Sequence, residues 1–138
     1  MSIKYKIYPA RNLLVDVLKE NISLNELKIS ILQKKNNSDY IYVSKVLTNI
    51  IDTNFDLSTN DLYRFLSFII PQTSNSYFRW AILTDKPRET AFALLVKNND
   101  FFENRVEVFT TLNACNKYLD ILFEKDEFKD DDYIEITV

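Results

Sequence analysis

Ile3, Tyr5 and Ile7 alternate with Lys4, Lys6 and Tyr8 at the start of the chain. A period of two predicts a strand with one solvated face. Pro9-Ala10-Arg11-Asn12 supplies turn chemistry, and Leu13 to Leu18 resumes as a second strand. So short a connection predicts an antiparallel hairpin. From Leu24 the period changes. Leu24, Leu27, Ile31 and Leu32 share one helical face behind Ser23-Leu24-Asn25-Glu26, which fits a capping box. Asn36-Asn37-Ser38-Asp39 ends that helix. Lys45 to Ile51 then places Val46, Leu47, Ile50 and Ile51 on both faces of a strand, the mark of a parallel sheet covered by helices.

Asp52 to Leu57 reads as a loop, and Ser58-Thr59-Asn60-Asp61 as a second serine-led cap. The helix behind it carries Leu62, Phe65, Leu66 and Ile69 as its stripe and is expected to stop at Pro71. Gln72 to Tyr77 is a polar loop. Phe78 to Thr84 is the most apolar strand and is expected at the centre of the sheet. Asp85 is the expected cap of a helix reaching about Asn98, with Pro87 in its first turn. Arg105 to Phe109 gives a further strand. Thr111 caps a last helix with Leu112, Cys115, Leu119 and Leu122 on one face. Tyr133 to Val138 alternates again, a candidate edge strand. The order is β-β-α-β-α-β-α-β-α with this candidate strand at the end. Strands joined by single helices pair in parallel through right-handed crossovers, so the class is α/β with a mostly parallel sheet. Residues 1–138 read as one domain.

Composition narrows what such a domain can do. Its 138 residues contain no glycine, no histidine and one cysteine, where roughly 10 glycines would be usual. Glycine-dependent phosphate loops, dinucleotide turns and nucleophile elbows are excluded. So are histidine ligands, imidazole bases and Ser/His/Asp triads. One cysteine makes neither an internal disulfide nor a thiolate zinc site. Asp52-Thr53-Asn54-Phe55-Asp56 has the start of a calcium loop, but Leu57 and Tyr63 stand where glycine and glutamate are needed. No cofactor or metal is implied. An enzyme would have to work with carboxylates, lysine or tyrosine, and the loop aspartates suit turns and caps better. Cys115, on an apolar stripe, reads as core.

The net charge of −3 is uneven. Residues 124–132 (EKDEFKDDD) hold six acids against two lysines, so the rest is close to neutral. No basic face exists for a nucleic-acid partner. The acidic run reads as a solvated linker, with contact to a partner as the alternative. The opening MSIKYKIYPAR is no signal peptide, and no stretch approaches the ~20 apolar residues of a membrane helix. The cytoplasm is the expected compartment.

Parallel α/β sheets bind ligands beyond the carboxyl ends of their strands. That edge is expected to gather Asn21, Ser23, Asp52, Asn54, Asp56, Ser58, Thr59, Thr84, Asp85, Thr110 and Thr111. The plainer role of Ser23, Ser58, Asp85 and Thr111 is helix capping. Phe65, Phe68, Phe92, Phe101, Phe102 and Phe109 could line an apolar pocket or simply fill the core. Tyr77, Phe78 and the terminal YIEITV could form an exposed edge for a homodimer.

The layout, with YKIYPARNLLVDVLKENISLNEL, KVLTNIIDTNFDLSTNDL, FRWAILTDKPRETAFALL and VEVFTTLNACNKYL, resembles the SpoIIAA-like proteins of the STAS/SEC14-type superfamily. The resemblance spans roughly residues 4–122, nearly the whole chain. It implies a helix-flanked sheet with the first strand antiparallel at an edge. It implies a non-enzymatic regulatory module that binds another protein, as anti-sigma-factor antagonists do. The SEC14-type branch implies the alternative, a bound apolar or lipid ligand. Phosphoregulated members carry Asp-Ser-Ser/Thr-Gly where this chain has Asp56-Leu57-Ser58-Thr59-Asn60. Ser58, at the matching helix start, is thereby a candidate phosphorylation site, although Leu57 intervenes and Asn60 replaces glycine. Asn21 likewise stands in an expected turn where relatives often carry glycine.

Overall fold

Residues 2–73 and 78–137 are described by a computed structural model. The chain first folds back on itself as β1 (Ser2–Tyr8) and β2 (Leu13–Ser23), joined by a 3-10 turn over Pro9–Arg11. Pro9 opens the turn, where its fixed φ suits the geometry. Asn12 closes it in the left-handed region, at φ 53°. With no glycine available, Asn104, Asp120 and Glu20 take the other left-handed positions among the described residues. Asparagine and aspartate tolerate that region; Glu20, at φ 65°, has no such excuse. It lies just past an irregularity in the β2 register between Val17 and Lys19. Asn21, expected in a turn, is instead extended strand, because Glu20 takes the left-handed conformation one residue earlier.

The remaining elements are α1 (Leu24–Lys35), β3 (Lys45–Asp56), α2 (Thr59–Thr73), β4 (Arg79–Leu83), α3 (Pro87–Lys97), β5 (Val106–Phe109), α4 (Leu112–Leu119) and β6 (Ile134–Glu135). The sheet order is β5-β4-β3-β2-β1-β6. Strands β2 to β5 are parallel; β1 is antiparallel to β2, and β6 is antiparallel to β1. The mostly parallel α/β architecture is as expected, and the candidate terminal strand is β6, laid outside β1. The apolar β4 is second from one edge; β2 and β3 hold the centre.

Four local expectations give way. Asp52 to Asp56 is strand, not loop, because Thr53 and Phe55 are buried while Asp52, Asn54 and Asp56 face solvent, a clean period of two. It pairs with Lys19–Ser23 of β2. Helix α2 runs through Pro71 to Thr73, whose hydroxyl donates to the Ile69 and Ile70 carbonyls in the last turn. Asp85 does not cap α3. Pro87 fixes the first turn, which makes Lys86 the flanking residue, without a side-chain cap. Leu122 leaves the α4 stripe because left-handed Asp120 ends the helix, and Phe123 is buried in its place.

Alternation along the strands divides the core in two. Leu13, Val15, Leu47, Ala81 and Leu83 pack beneath Cys115 and Leu119 of α4, with Phe123 beside them. Burial pushes the Cys115 thiol up to about 12, so it stays protonated and unreactive. On the opposite face Tyr5, Leu14, Leu18, Ile50 and Ile82 lie beneath α1, α2 and α3. The acidic segment is docked through a few residues, while most of its charged side chains stay exposed. Glu127 pairs with Arg11 at 2.9 Å, and Asp130 and Asp132 flank Lys6 at 3.5 and 2.8 Å. The Phe128 ring sits 4.8 Å from Phe123. No helix of the described residues is long and apolar enough to cross a membrane.

Candidate functional site

Strand pairing puts Tyr5 opposite Asp16, and Asp16 beside Thr48. Paired residues share a face, so these three form a polar row across the sheet under the three helices. Two members of the row have their hydrogen bonds within the fold. Tyr5 Oη accepts from the Asn37 amide at 3.2 Å, and Thr48 Oγ1 accepts from the Trp80 indole N–H at 2.9 Å. Asp16 is different. Its residue is 4% exposed, Lys34 of α1 donates to Oδ2, and Oδ1 is buried with no hydrogen-bond partner.

Lys34 reaches Asp16 from the last turn of α1, where a cation also complements the helix carboxyl terminus. Around the pair the described residues leave a cavity of about 630 Å³. Its floor is Leu14, Asp16, Thr48, Ile50 and Ile82; its walls include Ile31, Phe65, Phe92 and Val96. Helix α1 explains the space, since Ser30 is its only fully buried residue and Leu27 and Ile31 are half-exposed. Leu32, expected on the buried stripe, is 44% exposed. Lys35, Ser38 and Ile41 are exposed lining residues where α1 leads into β3, so they mark an opening at the amino ends of the parallel strands. Tyr40 also lines it; burial first, then the Asp16 charge, holds its phenol above the ordinary tyrosine range.

None of the residues expected at the carboxyl edge lines this cavity. Asn21, Asp52, Asn54 and Asp56 are exposed on the ribbon that the ends of β2 and β3 form, with Ser23 beside them. Ser23 caps α1, accepting from the Glu26 N–H. Ser58 and Asp61 cap α2 reciprocally: Ser58 Oγ accepts from the Asp61 N–H, and Asp61 Oδ2 accepts from the Ser58 N–H, each at 3.1 Å. That backbone donor is the main reason the Asp61 carboxyl is held below the usual carboxylate range. Thr59 is exposed in the first turn. Thr84 is wholly buried and its hydroxyl meets that of Thr90 at 3.2 Å. Asp85 and Thr110 are exposed, and Thr111 caps α4 by accepting from the Ala114 N–H. Among the described residues no three potential metal ligands gather.

No family model matches the chain, and neither does any curated protein. Solved structures do. An uncharacterized DUF3478-family protein from Shewanella loihica PV-4 superposes with a TM-score of 0.57 at 12% identity, over 86% of this chain and 95% of that one. It is described as having a SpoIIAA-like fold. The anti-sigma factor antagonist SpoIIAA, in its unphosphorylated form, gives 0.50 at 11% identity, over 83% and 96%. The fold is SpoIIAA-like. At such identities the likeness concerns the fold alone, and the site has to be read from this chain's own residues.

Within the SpoIIAA-like sheet, two of the six phenylalanines expected around a pocket, Phe65 and Phe92, line the cavity. Phe102 is buried among Phe78, Trp80 and Phe101, and Phe109 lies on the α4 face against Tyr118. Phe78, expected at an exposed edge, is buried against Phe102, while Tyr77 lies outside the described residues. Asp16 and Lys34 were absent from the expectations. The signal for Asp16 was present in LLVDVL: a carboxylate inside a strand buried on both faces needs a partner.

Proposed function

We propose that the protein is a non-catalytic binding module of the cytoplasm, and that it holds a small ligand with an apolar body in the cavity beneath α1, α2 and α3. One observation carries this reading. A space of about 630 Å³ is lined mostly by apolar side chains around a single ion pair. Ligand pockets typically span roughly 300–1,000 Å³ and are apolar with a few placed polar groups. The test is to purify the full chain without detergent, strip it of lipid, and titrate it with an environment-sensitive apolar dye. One saturable site per chain is expected, and it should vanish in Ser30→Leu/Ala93→Leu, which fills the cavity from α1 and α3. Dye binding that the filled variant retains would overturn the reading.

A second reading, regulation through a protein partner, is supported by the exposed ribbon of Asn21, Asp52, Asn54 and Asp56 and by the likeness to an anti-sigma factor antagonist. Ser58 is exposed beside it. A phosphate there would replace the cap and stand next to the Asp61 carboxylate, so it would alter the helix start as well as the surface charge. In this reading Ser58→Asp changes capture of a partner from native cells far more than it changes melting temperature. Unaltered capture would count against it.

A further inference from the structure

Resting on the cavity reading above, we infer that the ligand presents a neutral hydrogen-bond donor, a hydroxyl or amide N–H, to Asp16 Oδ1. A buried carboxylate has strict hydrogen-bonding requirements. Taken out of water, both oxygens need donors, and an unmade bond costs more than a made one returns. Lys34 supplies Oδ2. Oδ1 has no partner, although Asp16 lies on the cavity face and lines the cavity. The neighbouring acceptors in the same row, Tyr5 Oη and Thr48 Oγ1, already have their donors from Asn37 and Trp80. In this row, among the described residues, Asp16 Oδ1 is the acceptor left unfilled, and the walls around it are mostly apolar.

The charge balance decides the kind of donor. Lys34 already neutralises the carboxylate, and its side chain is itself only 13% exposed. A cationic head would set a second positive charge against Lys34; a carboxylate head would bring a second negative oxygen to Oδ1. A neutral donor avoids both repulsions. An acceptor-only head, such as an ether, leaves Oδ1 unsatisfied.

The full chain, stripped of lipid, can be titrated with two probes of equal length, decan-1-ol and methyl nonyl ether. The alcohol donates and the ether does not. A hydrogen bond to a charged acceptor corresponds to an affinity advantage of about tenfold or more for the alcohol. In Asp16→Leu/Lys34→Met, which replaces the pair by apolar side chains of similar size, both probes should bind within about twofold of one another. The wild-type comparison needs no variant to fold. Equal affinity of the two probes for wild type overturns the donor inference and leaves the cavity reading standing. No binding of either overturns the cavity reading itself. A preference for the alcohol that survives in the double variant overturns the assignment to Asp16.

Discussion

On the α4 face, Leu13, Val15, Leu47, Ala81, Cys115 and Leu119 are each wholly buried, and Phe123 closes the layer from the side. On the opposite face the same strands carry larger side chains and three helices, yet Leu27, Ile31 and Phe92 remain half-exposed around open space. A single charge separates the two at the centre of β2. Val15 and Val17 point one way and Asp16 the other. Close packing on one face fixes the sheet, which allows the other to stay incompletely filled. Deletions on the first face should therefore act on stability, and changes on the second should act mainly on binding.

The sharpest way to break this contrast is to remove one ring from each face. Phe123→Ala should cost about 3–5 kcal/mol, because the hole it leaves is enclosed. Phe92→Ala, on the wall of an existing cavity, should cost less than half of that. Urea unfolding measures both, and equal losses would show the faces to be packed alike. Next comes the ion pair. Lys34→Ala leaves Asp16 buried without a cation and should cost about 3 kcal/mol, whereas Asp16→Leu/Lys34→Met should stay within about 1 kcal/mol of wild type. If the double variant unfolds as readily as the single one, the pair holds the cavity face together rather than furnishing it. Smaller again are the caps, which act locally whichever face their helix covers. Ser58→Ala at α2 and Thr111→Ala at α4 should each cost about 1 kcal/mol in thermal unfolding. A much larger loss at Ser58 would mean that its hydroxyl does more than cap.

The order of elements and both core stripes were legible in the sequence because period and capping chemistry are local. The Ser23, Ser58 and Thr111 caps follow directly from residue type and spacing. The length of β3 was not legible. Asp52-Thr53-Asn54 looks like turn chemistry, and only pairing with the far end of β2 makes it a strand. The missing glycines had a similar effect: the left-handed residue fell on Glu20, which no propensity would nominate, and not on Asn21. The cavity was hidden for a different reason. A helical stripe such as Leu24, Leu27, Ile31 and Leu32 says which side faces inward, not how closely that side approaches the sheet. Asp16 was the one local sign, and its partner Lys34 lies 18 residues further on, beyond the rest of β2 and nearly all of α1.

The smallest expected effect concerns how the C-terminal segment closes the β1 side. Lys6 donates to Asp132 at 2.8 Å, and Ile136 N–H donates to the Ile3 carbonyl at 2.8 Å. The Lys6 bond is the main cause of the low carboxyl pKa of Asp132, and that bond chiefly raises Lys6. A depressed acid favours the docked segment above its unfolded value, near roughly 3.9, and loses that contribution as pH falls through its folded value. The raised lysine contributes below roughly 10.4 and loses its share only as pH rises through its folded value. Docking should therefore be constant between about pH 5 and 9 and weaken in acid. Both groups reach solvent, so the effect is local, is reduced by salt, and leaves the melting temperature nearly unchanged. The hydrogen-exchange protection factor of the Ile136 amide is the measurement. It should fall on acidification below about pH 4 in wild type at low salt. In Asp132→Asn it should be lower at neutral pH and lack most of that step, with Glu127 supplying the remainder. An acid step of undiminished size in Asp132→Asn would take the effect away from the Lys6–Asp132 bond, whereas no acid step in wild type would place the closure in apolar contacts such as Phe123 with Phe128 and make the β1 side an extension of the closely packed α4 face.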